Sequence, residues 1–178
     1  AICTLRDGAA VAELGAWLAV HGFGAVRVTV CERVGGPQER LREGTGWPDI
    51  AAPVTVALDG ANLPRSAGLP RAPGLPDDLF RHDGQITRRP VRALTLSALA
   101  PRPGALLWDI GGGSGSVAVE WCLAGGQAIS IEMRETRAAT IRANAADFGL
   151  SHRLRAVQGR APEALAGLPA PDAVFVGG

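Results

Sequence analysis

The sequence predicts an α/β fold built on an open parallel sheet, and two observations support this. In the second half of the chain, four strand-like segments alternate with helix-like segments and begin about 19 to 26 residues apart, a spacing typical of βαβ units. A glycine-rich turn follows the first of these strands, at the sheet edge where such folds bind their ligands. The fold class therefore already indicates where a ligand site is expected.

The composition excludes several function classes. The chain has 178 residues, of which 47% are hydrophobic and 20% charged, a balance typical of a soluble protein with a packed core. Its 18 basic residues are all arginines and oppose 17 acids, so the net charge of +1 favours neither a nucleic-acid nor a membrane partner. Because lysine is absent from the sequence, this chain can supply neither a Walker-type phosphate loop nor a pyridoxal phosphate Schiff base.

The cysteines and the first residues bear on cellular location. Cys3, Cys31 and Cys122 form no close-spaced pair, so we predict no metal site and no disulfide framework. The first residues lack the pattern of a signal peptide, which predicts a cytoplasmic protein. Since Met133 is the sole methionine, we expect that the initiator was removed or that the chain begins inside a longer one.

The first 60 residues predict one helix and two strands. Asp7 is placed to cap a helix whose apolar residues recur at helical spacing. Those residues are Val11, Leu14 and Leu18. Segments 26–30 and 54–58 alternate apolar and polar residues as half-buried strands do. These elements bury too little surface to fold alone, so residues 1–60 are interpreted as the closing part of a larger domain.

A proline-rich stretch, residues 61–76, predicts a linker between two domains. After it, Thr87 is predicted to cap a helix over residues 88–99. Four apolar residues are expected on the buried side of that helix: Val91, Leu94, Ala98 and Leu99. Residues 77–178 hold only four predicted strands, so this second domain is expected to be truncated.

The second domain follows a regular order of strands and helices. The predicted strands span residues 105–110, 128–131, 154–157 and 173–176, and the predicted helices between them span 117–124, 135–148 and 163–165. The longest of these helices carries a single apolar stripe formed by Ala138, Ile141, Ala145 and Phe148. This order predicts that every strand runs in the same direction.

The glycine-rich turn reads Asp109-Ile110-Gly111-Gly112-Gly113-Ser114-Gly115 and joins a strand to a helix. Glycines let the backbone turn tightly and let a ligand approach the main chain, while the N–H groups of the helix start point towards that ligand. The dinucleotide pattern fits only as Gly113-x-Gly115-x-x-Ala118. An acid two residues before the glycines is more typical of a loop for S-adenosylmethionine, a zwitterionic ligand with a cationic sulfonium and no pyrophosphate.

Glu132 is the second candidate ligand-binding residue. It directly follows a predicted strand, 17 residues beyond Gly115, where its carboxylate can accept hydrogen bonds from both hydroxyls of a ribose. Enzymes that bind NAD place an acid in the same way, so Glu132 indicates a ribose and not a particular cofactor. Three interpretations stay open at this point: a methyl-donor site, a nicotinamide or flavin site, and a purely structural turn.

Further motifs lie in a fixed order along the chain. They are Glu32-Arg33-x-Gly35-Gly36-Pro37-x-Glu39-Arg40, Asp83-Gly84-Gln85-Ile86-Thr87, Val91-Arg92-Ala93-Leu94-Thr95-Leu96, the glycine-rich turn, Ala161-Pro162-Glu163-Ala164-Leu165 and Asp172-Ala173-Val174-Phe175-Val176-Gly177-Gly178. From Asp83 onward the sequence resembles the decarboxylating precorrin methyltransferases of cobalamin biosynthesis. The first 60 residues resemble the end of a tetrapyrrole-methylase-type α/β domain. In the fused form of these enzymes, that domain precedes the decarboxylating methyltransferase domain.

The resemblance implies a function and a fold. The implied reaction is S-adenosylmethionine-dependent methylation of a precorrin macrocycle at carbons 5 and 15, with loss of an acetate carboxyl as CO2. The implied fold is a truncated class I (Rossmann-like) methyltransferase sheet, and the implied partners are a tetrapyrrole substrate and further copies of the same chain. The alternatives are an NAD(P)-dependent oxidoreductase and another small-molecule class I methyltransferase.

The resemblance also implies which residues line the cofactor pocket. They are Thr87, Gly111, Gly112, Gly113, Ser114, Gly115, Glu132 and the backbone at Ala161, with Asp109 either touching the ligand or ordering the loop. Two positions depart from the family pattern. Pro90 replaces an acid that would form a capping box with Thr87, and Arg160 replaces an acid before Ala161.

Arginine side chains are candidates for binding the substrate carboxylates, because a planar guanidinium can donate two parallel hydrogen bonds to one carboxylate. The candidates near the expected cleft are Arg81, Arg88, Arg89, Arg92 and Arg134. Each could equally be a solvated surface residue. Asp83 could hold the cofactor ammonium or only fix a turn, and His82 could donate a proton after decarboxylation or simply be exposed.

Overall fold

A computed structural model describes residues 1–177 and separates the chain into two compact units, with the division between Leu69 and Pro70. This division lies inside the proline-rich stretch. Leu75, near the end of that stretch, is buried in the core of the second unit, so residues 70–76 belong to that unit. Gly178, which ends both the predicted second domain and its last motif, lies outside the described residues.

The first unit is an antiparallel sheet with one helix. Its elements are β1 (Ile2–Leu5), α1 (Ala9–Val20), β2 (Arg27–Glu32), β3 (Arg40–Glu43) and β4 (Val54–Asp59), and the strand order is β1-β4-β2-β3. Gly8 occupies the N-cap position of α1, and Asp7, the predicted capping residue, lies one residue before it. Asp7 still satisfies a main-chain donor of the first turn, because its Oδ1 atom accepts the N–H of Ala10 at 3.0 Å. Val11 and Leu18 of α1 pack against valines of β2 and β4 in one core.

Strands β1 and β3 were not predicted, and β3 has a specific physical cause. It reads Arg40-Leu41-Arg42-Glu43, which has little apolar character. Its arginines close onto Glu32, a buried residue at the end of β2, with Arg40 Nη2 donating to Glu32 Oε1 at 2.9 Å and Arg42 Nε to Oε2 at 3.0 Å. Hydrogen bonds from Arg40 lower the pKa of the Glu32 carboxyl to about 2. Ionic pairing thus accounts for a strand that hydrophobic alternation could not predict.

The second unit is a parallel sheet in the order β7-β6-β5-β8, with helices between its strands. Its elements are α2 (Arg89–Leu99), β5 (Leu106–Ile110), α3 (Ser116–Leu123), β6 (Gln127–Glu132), α4 (Glu135–Asp147), β7 (Leu154–Gln158) and β8 (Ala173–Val176), with short 3-10 turns at Asp77–Leu79 and Glu163–Leu165. Each predicted strand and helix of this unit is present, with its ends shifted by a residue or so. The predicted stripe on α4 is also confirmed, since Ala138, Ile141 and Ala145 are buried and Phe148 packs against the core.

The buried face of α2 differs from the prediction. Val91 and Leu94 are 56% and 73% exposed, whereas Arg92 and Leu96 are buried. Ala98, also predicted to be buried, is exposed. The helix turns this way because the guanidinium of Arg92 pairs with the buried carboxylate of Glu120 on α3.

The predicted cap of α2 is also wrong. Arg88 occupies the N-cap position, and no side chain among the described residues caps the helix there. Thr87 lies one residue outside, and its carbonyl oxygen accepts a hydrogen bond from the guanidinium of Arg92.

Among the helices of residues 1–177, none combines the length and the apolar character that crossing a bilayer requires.

Candidate functional site

The candidate site lies at the carboxyl ends of β5, β6 and β8. Strand β5 has β6 on one side and β8 on the other, so the order of strands along the sheet reverses there. In open α/β sheets this reversal leaves a crevice where ligands bind. The glycine-rich turn follows β5 directly, as the sequence predicted, and it leads into α3.

The backbone of the turn has a conformation that glycine alone adopts readily. Gly111, Gly113 and Gly115 have φ angles of +75°, +58° and +74°. The N–H groups of Gly111 and Gly112 both donate to the carbonyl of Ile131, at 2.8 and 3.1 Å, which fixes the turn against β6. A Cβ on Gly111 would lie 2.5 Å from the carbonyl oxygen of Gly177. The turn therefore packs on both neighbouring strands, with no room for a side chain at Gly111.

Glu132 is the last residue of β6, where the sequence placed it, and its side chain is buried against the turn. Oε2 accepts the N–H of Gly113 at 3.0 Å, and Oε1 accepts the N–H of Arg134 at 2.9 Å. A carboxylate oxygen has two lone pairs, so each oxygen can accept one further hydrogen bond. Glu132 thus fixes the turn and still has the capacity to bind hydroxyl groups.

Asp109 lies beneath the turn and not at its open side. Its Oδ2 atom accepts the hydroxyl of Ser130 at 2.8 Å, and a Cβ on Gly112 would lie 3.0 Å from the same oxygen. Burial raises the pKa of the Asp109 carboxyl to about 6 and the nearby Glu132 charge adds to this, while the Ser130 hydrogen bond opposes it. Of the two predicted roles for Asp109, this position fits ordering of the loop.

The raised pKa of Asp109 makes stability depend on pH. Its unfolded pKa is about 3.9, so between about pH 4 and pH 6 the folded state binds more protons and stability falls as pH rises. We expect Asp109→Asn to gain up to about 3 kcal/mol relative to the wild type from about pH 4 to about pH 7, measured by urea denaturation. The exposed Glu163→Gln substitution is the control. A difference between Asp109→Asn and wild type that stays constant with pH would contradict this prediction.

A cavity of about 330 Å³ opens beside the turn. Three segments line it: Gln85–Arg88 with Val91, Gly111–Gly113, and Phe175–Gly177. Thr87 and the first three glycines are therefore brought together as predicted. Ser114 and Gly115 lie deeper, and the buried Ser114 hydroxyl has no hydrogen-bond partner within residues 1–177.

Ala161 lines a different and more open cavity of about 680 Å³. This second cavity is formed by residues 158–164 at the carboxyl end of β7. Arg160, which replaces an acid of the family pattern, also lines it. The two cavities follow different strands of the same sheet, and Ala161 is not among the residues that line the first one.

The candidate substrate-binding residues differ in how accessible they are and in whether they already have a partner. Arg88 lines the first cavity, and Arg89 and Arg134 are exposed. Arg81 pairs with Asp147, Asp83 with Arg137, and the ring of His82 accepts the N–H of Gly84. Arg92 is the exception, because it is fully buried and cannot reach a substrate. The prediction of a substrate-binding role for Arg92 is therefore wrong.

Two buried polar residues were not identified from the sequence. Glu120 lies on α3 and accepts hydrogen bonds from the N–H groups of Gly74 and Leu75. Asn144 lies on α4 and bonds to the main chain at Arg81 and Ser114. The available signal was a lone polar residue on an apolar helix face, which marks Glu120 in Ser116–Leu123 and Asn144 beside Ile141 and Ala145.

Comparison with known proteins identifies the family. A family model described as "Precorrin methyltransferase domain" matches residues 78–178. The chain belongs to the precorrin methyltransferase family. A Sinorhizobium protein named precorrin-6Y C(5,15)-methyltransferase (decarboxylating) is 52% identical over 184 residues, which cover 97% of this chain and 43% of that relative. A Mycobacterium tuberculosis protein of the same name is 42% identical over 182 residues, covering 100% of this chain and 46% of the relative.

A solved structure supports the same assignment for the fold. The crystal structure of the C-terminal domain of precorrin-6Y C5,15-methyltransferase from Rhodobacter capsulatus is similar to this chain with 65% identity and a TM-score of 0.61. The match covers 62% of this chain and 60% of that structure. It confirms the predicted class I (Rossmann-like) methyltransferase sheet. The chain spans less than half the length of the two relatives described above.

Proposed function

We propose that the protein to which this chain belongs transfers methyl groups from S-adenosylmethionine to carbons 5 and 15 of a precorrin and removes an acetate carboxyl as CO2. The observation that carries this proposal is the Glu132 carboxylate, which lies directly against the main chain of the glycine-rich turn. This pair combines a main-chain surface free of side chains with a buried acceptor for hydroxyl groups. The family membership supports the choice of a methyl donor over a nicotinamide nucleotide.

The residues of the turn fit S-adenosylmethionine. Gly111–Gly113 present bare backbone to the first cavity. Glu132 is not among the residues that line this cavity, but its carboxylate is bonded to Gly113, which does line it, and from there it would accept hydrogen bonds from the ribose hydroxyls. Thr87 lines the same cavity as these glycines, and we propose that the main chain at Ala161 contacts the adenine from the second cavity.

When bound, the cofactor supplies an electrophilic methyl group on a sulfonium. The contribution of this chain to such a reaction is positioning, because holding two reactants in register contributes up to about 7–11 kcal/mol over a bimolecular encounter. The glycine-rich turn and Glu132 fix one partner. Arg88, which lines the cavity and is largely exposed, is the best-placed arginine for a substrate carboxylate.

The wider organisation is part of the same proposal. Residues 77–178, together with residues 70–76 of the same unit, would be the first part of the class I methyltransferase domain. The remaining linker, 61–69, and residues 1–60, as the end of a tetrapyrrole-methylase-type domain, would precede it. The R. capsulatus structure, described as a C-terminal domain, supports this order. We further propose a cytoplasmic protein that assembles with copies of itself, binds a small tetrapyrrole and does not bind nucleic acid.

The proposal is tested by calorimetry with S-adenosylhomocysteine. We expect the wild type to bind with a Kd well below about 1 mM and to show no binding of NADH. Glu132→Gln should weaken binding by about tenfold or more, because it removes the charge and one of the acceptor oxygens.

Glu135→Gln is the matched control for Glu132→Gln. Glu135 is an exposed acid three residues further along the chain, and within residues 1–177 it pairs only with Arg142. We expect its substitution to leave the affinity unchanged. A wild-type Kd weaker than about 1 mM, or preferential binding of NADH, would overturn the proposed function.

A further inference from the structure

Asn144 is a fully buried amide on α4, and each polar atom of its side chain is used. Its Oδ1 atom accepts the N–H of Arg81 at 2.9 Å. Its Nδ2 group donates to the carbonyl of Arg81 at 2.9 Å and to the carbonyl of Ser114 at 2.8 Å. One side chain thus links main-chain groups that lie 30 and 63 residues away along the sequence.

These partners adjoin two of the segments that form walls of the first cavity. Ser114 is part of the glycine-rich turn, directly after the glycines that line the cavity. Arg81 begins the segment 81–88, whose last four residues form another wall of the same cavity. A shift of either wall would therefore stretch a hydrogen bond to the same buried amide.

Other contacts between segment 81–88 and α4 are weaker. The side chain of Arg81 pairs with Asp147, and Asp83 pairs with Arg137, but in each pair at least one partner is about half exposed or more. Exposed ion pairs contribute little because water and salt screen them. Among the side chains, only an amide supplies two donors and an acceptor at one buried point. Loss of that amide would leave three main-chain groups without a partner.

We propose that Asn144 is a positioning residue, which holds segment 81–88 against the glycine-rich turn and thereby sets the affinity of the cavity for its ligand. The ligand part of this inference rests on the proposed function. Asn144 does not line the cavity, so its effect would pass through the two walls and not through contact with the cofactor.

The test compares Asn144→Leu with wild type in the full chain. Hydrogen–deuterium exchange without ligand should show faster exchange in segment 81–88 of the variant, with strands β5 and β6 unchanged. Calorimetry with S-adenosylhomocysteine, well below the melting temperature of the variant, should show a Kd at least about tenfold weaker. Arg142→Ala, an exposed change on the same helix, should alter neither result.

The outcomes separate the two proposals. If a folded Asn144→Leu variant exchanges and binds like wild type, the positioning role is overturned; uniformly faster exchange across the second unit overturns it too. If wild type does not bind S-adenosylhomocysteine, the proposed function fails, while selective opening of segment 81–88 still supports the Asn144 link. If the variant does not fold, the same exchange experiment on wild type tests the role. Bound S-adenosylhomocysteine should then slow exchange in residues 81–88 together with residues 113–116. Slower exchange in residues 113–116 alone would overturn the positioning role.

Discussion

Replacing Arg92 by leucine is expected to lower the free energy of unfolding of the second unit by about 3–5 kcal/mol. Arg92 is fully buried, and its Nε atom donates to Glu120 at 2.6 Å while Nη1 donates to Asp77 at 3.0 Å. Its other hydrogen bonds reach the carbonyls of Leu75 and Thr87. Without the guanidinium, the buried carboxylate of Glu120 would lose its cationic partner, and removing one partner is the costly way to break a buried ion pair.

Urea unfolding followed by tryptophan fluorescence measures this loss. Arg88→Ala is the matched control, because Arg88 is a neighbouring arginine whose side chain is mostly exposed. Its ion pair with Asp77 is long, at 3.7 Å, and therefore weak. We expect that control to change stability by less than about 0.5 kcal/mol. The double variant Arg92→Leu/Glu120→Leu should be more stable than Arg92→Leu alone, since it no longer buries an unpaired charge. An Arg92→Leu variant of wild-type stability would show that the pair does not hold this part of the unit together.

Gly112→Ala is expected to weaken S-adenosylhomocysteine binding by about 10- to 100-fold, the equivalent of losing about 1.4–3 kcal/mol of buried hydrogen bonding in the turn. A Cβ at this position would overlap the hydroxyl oxygen of Ser130, and it would approach Ile141 to 3.2 Å. Ser130 lies on a central strand and Ile141 in the core, so neither can move away easily. The turn itself must shift, and the contact between Gly113 and Glu132 would shift with it.

Calorimetry on three variants checks this explanation. Ser130→Ala removes the overlapping oxygen, so the double variant Gly112→Ala/Ser130→Ala should recover part of the lost affinity, while Ser130→Ala alone should bind nearly as wild type does. Gly46→Ala in the first unit is the matched glycine control, because a Cβ there meets nothing within 4 Å. Equal binding by Gly112→Ala and wild type would show that the turn tolerates a side chain and that the cofactor does not depend on its close approach.

The strands and helices of the parallel unit were predictable because each is determined mainly by its own short stretch of sequence. Strands β5 to β8 are short apolar runs, and the helices between them have their own periodicity, so no distant partner was needed to locate them. The orientation of α2 was not predictable in this way. The apolar pattern favoured Val91 and Leu94 for the core, but a buried acid 28 residues from Arg92 turned the helix instead.

The candidate site shows the same division. The glycine-rich turn and Glu132 are recognisable because their spacing after two successive strands is nearly fixed by the fold. Asp109 could be located from its motif, but whether its carboxyl faced a ligand or Ser130 depended on the pleat of β5 against β6. Asn144 carries no motif at all, since its meaning lies in main-chain groups far away in sequence.

The double duty of Glu132 has a consequence for redesign. Nucleotide preference in folds of this kind is commonly altered at the acid that follows the second strand. Here the same carboxylate also accepts the N–H of Gly113 and the N–H of Arg134. Engineering the chain towards a phosphorylated nucleotide would therefore require a new acceptor for those two amides before the acid is exchanged, or the attempt would disorder the very loop it sets out to retarget.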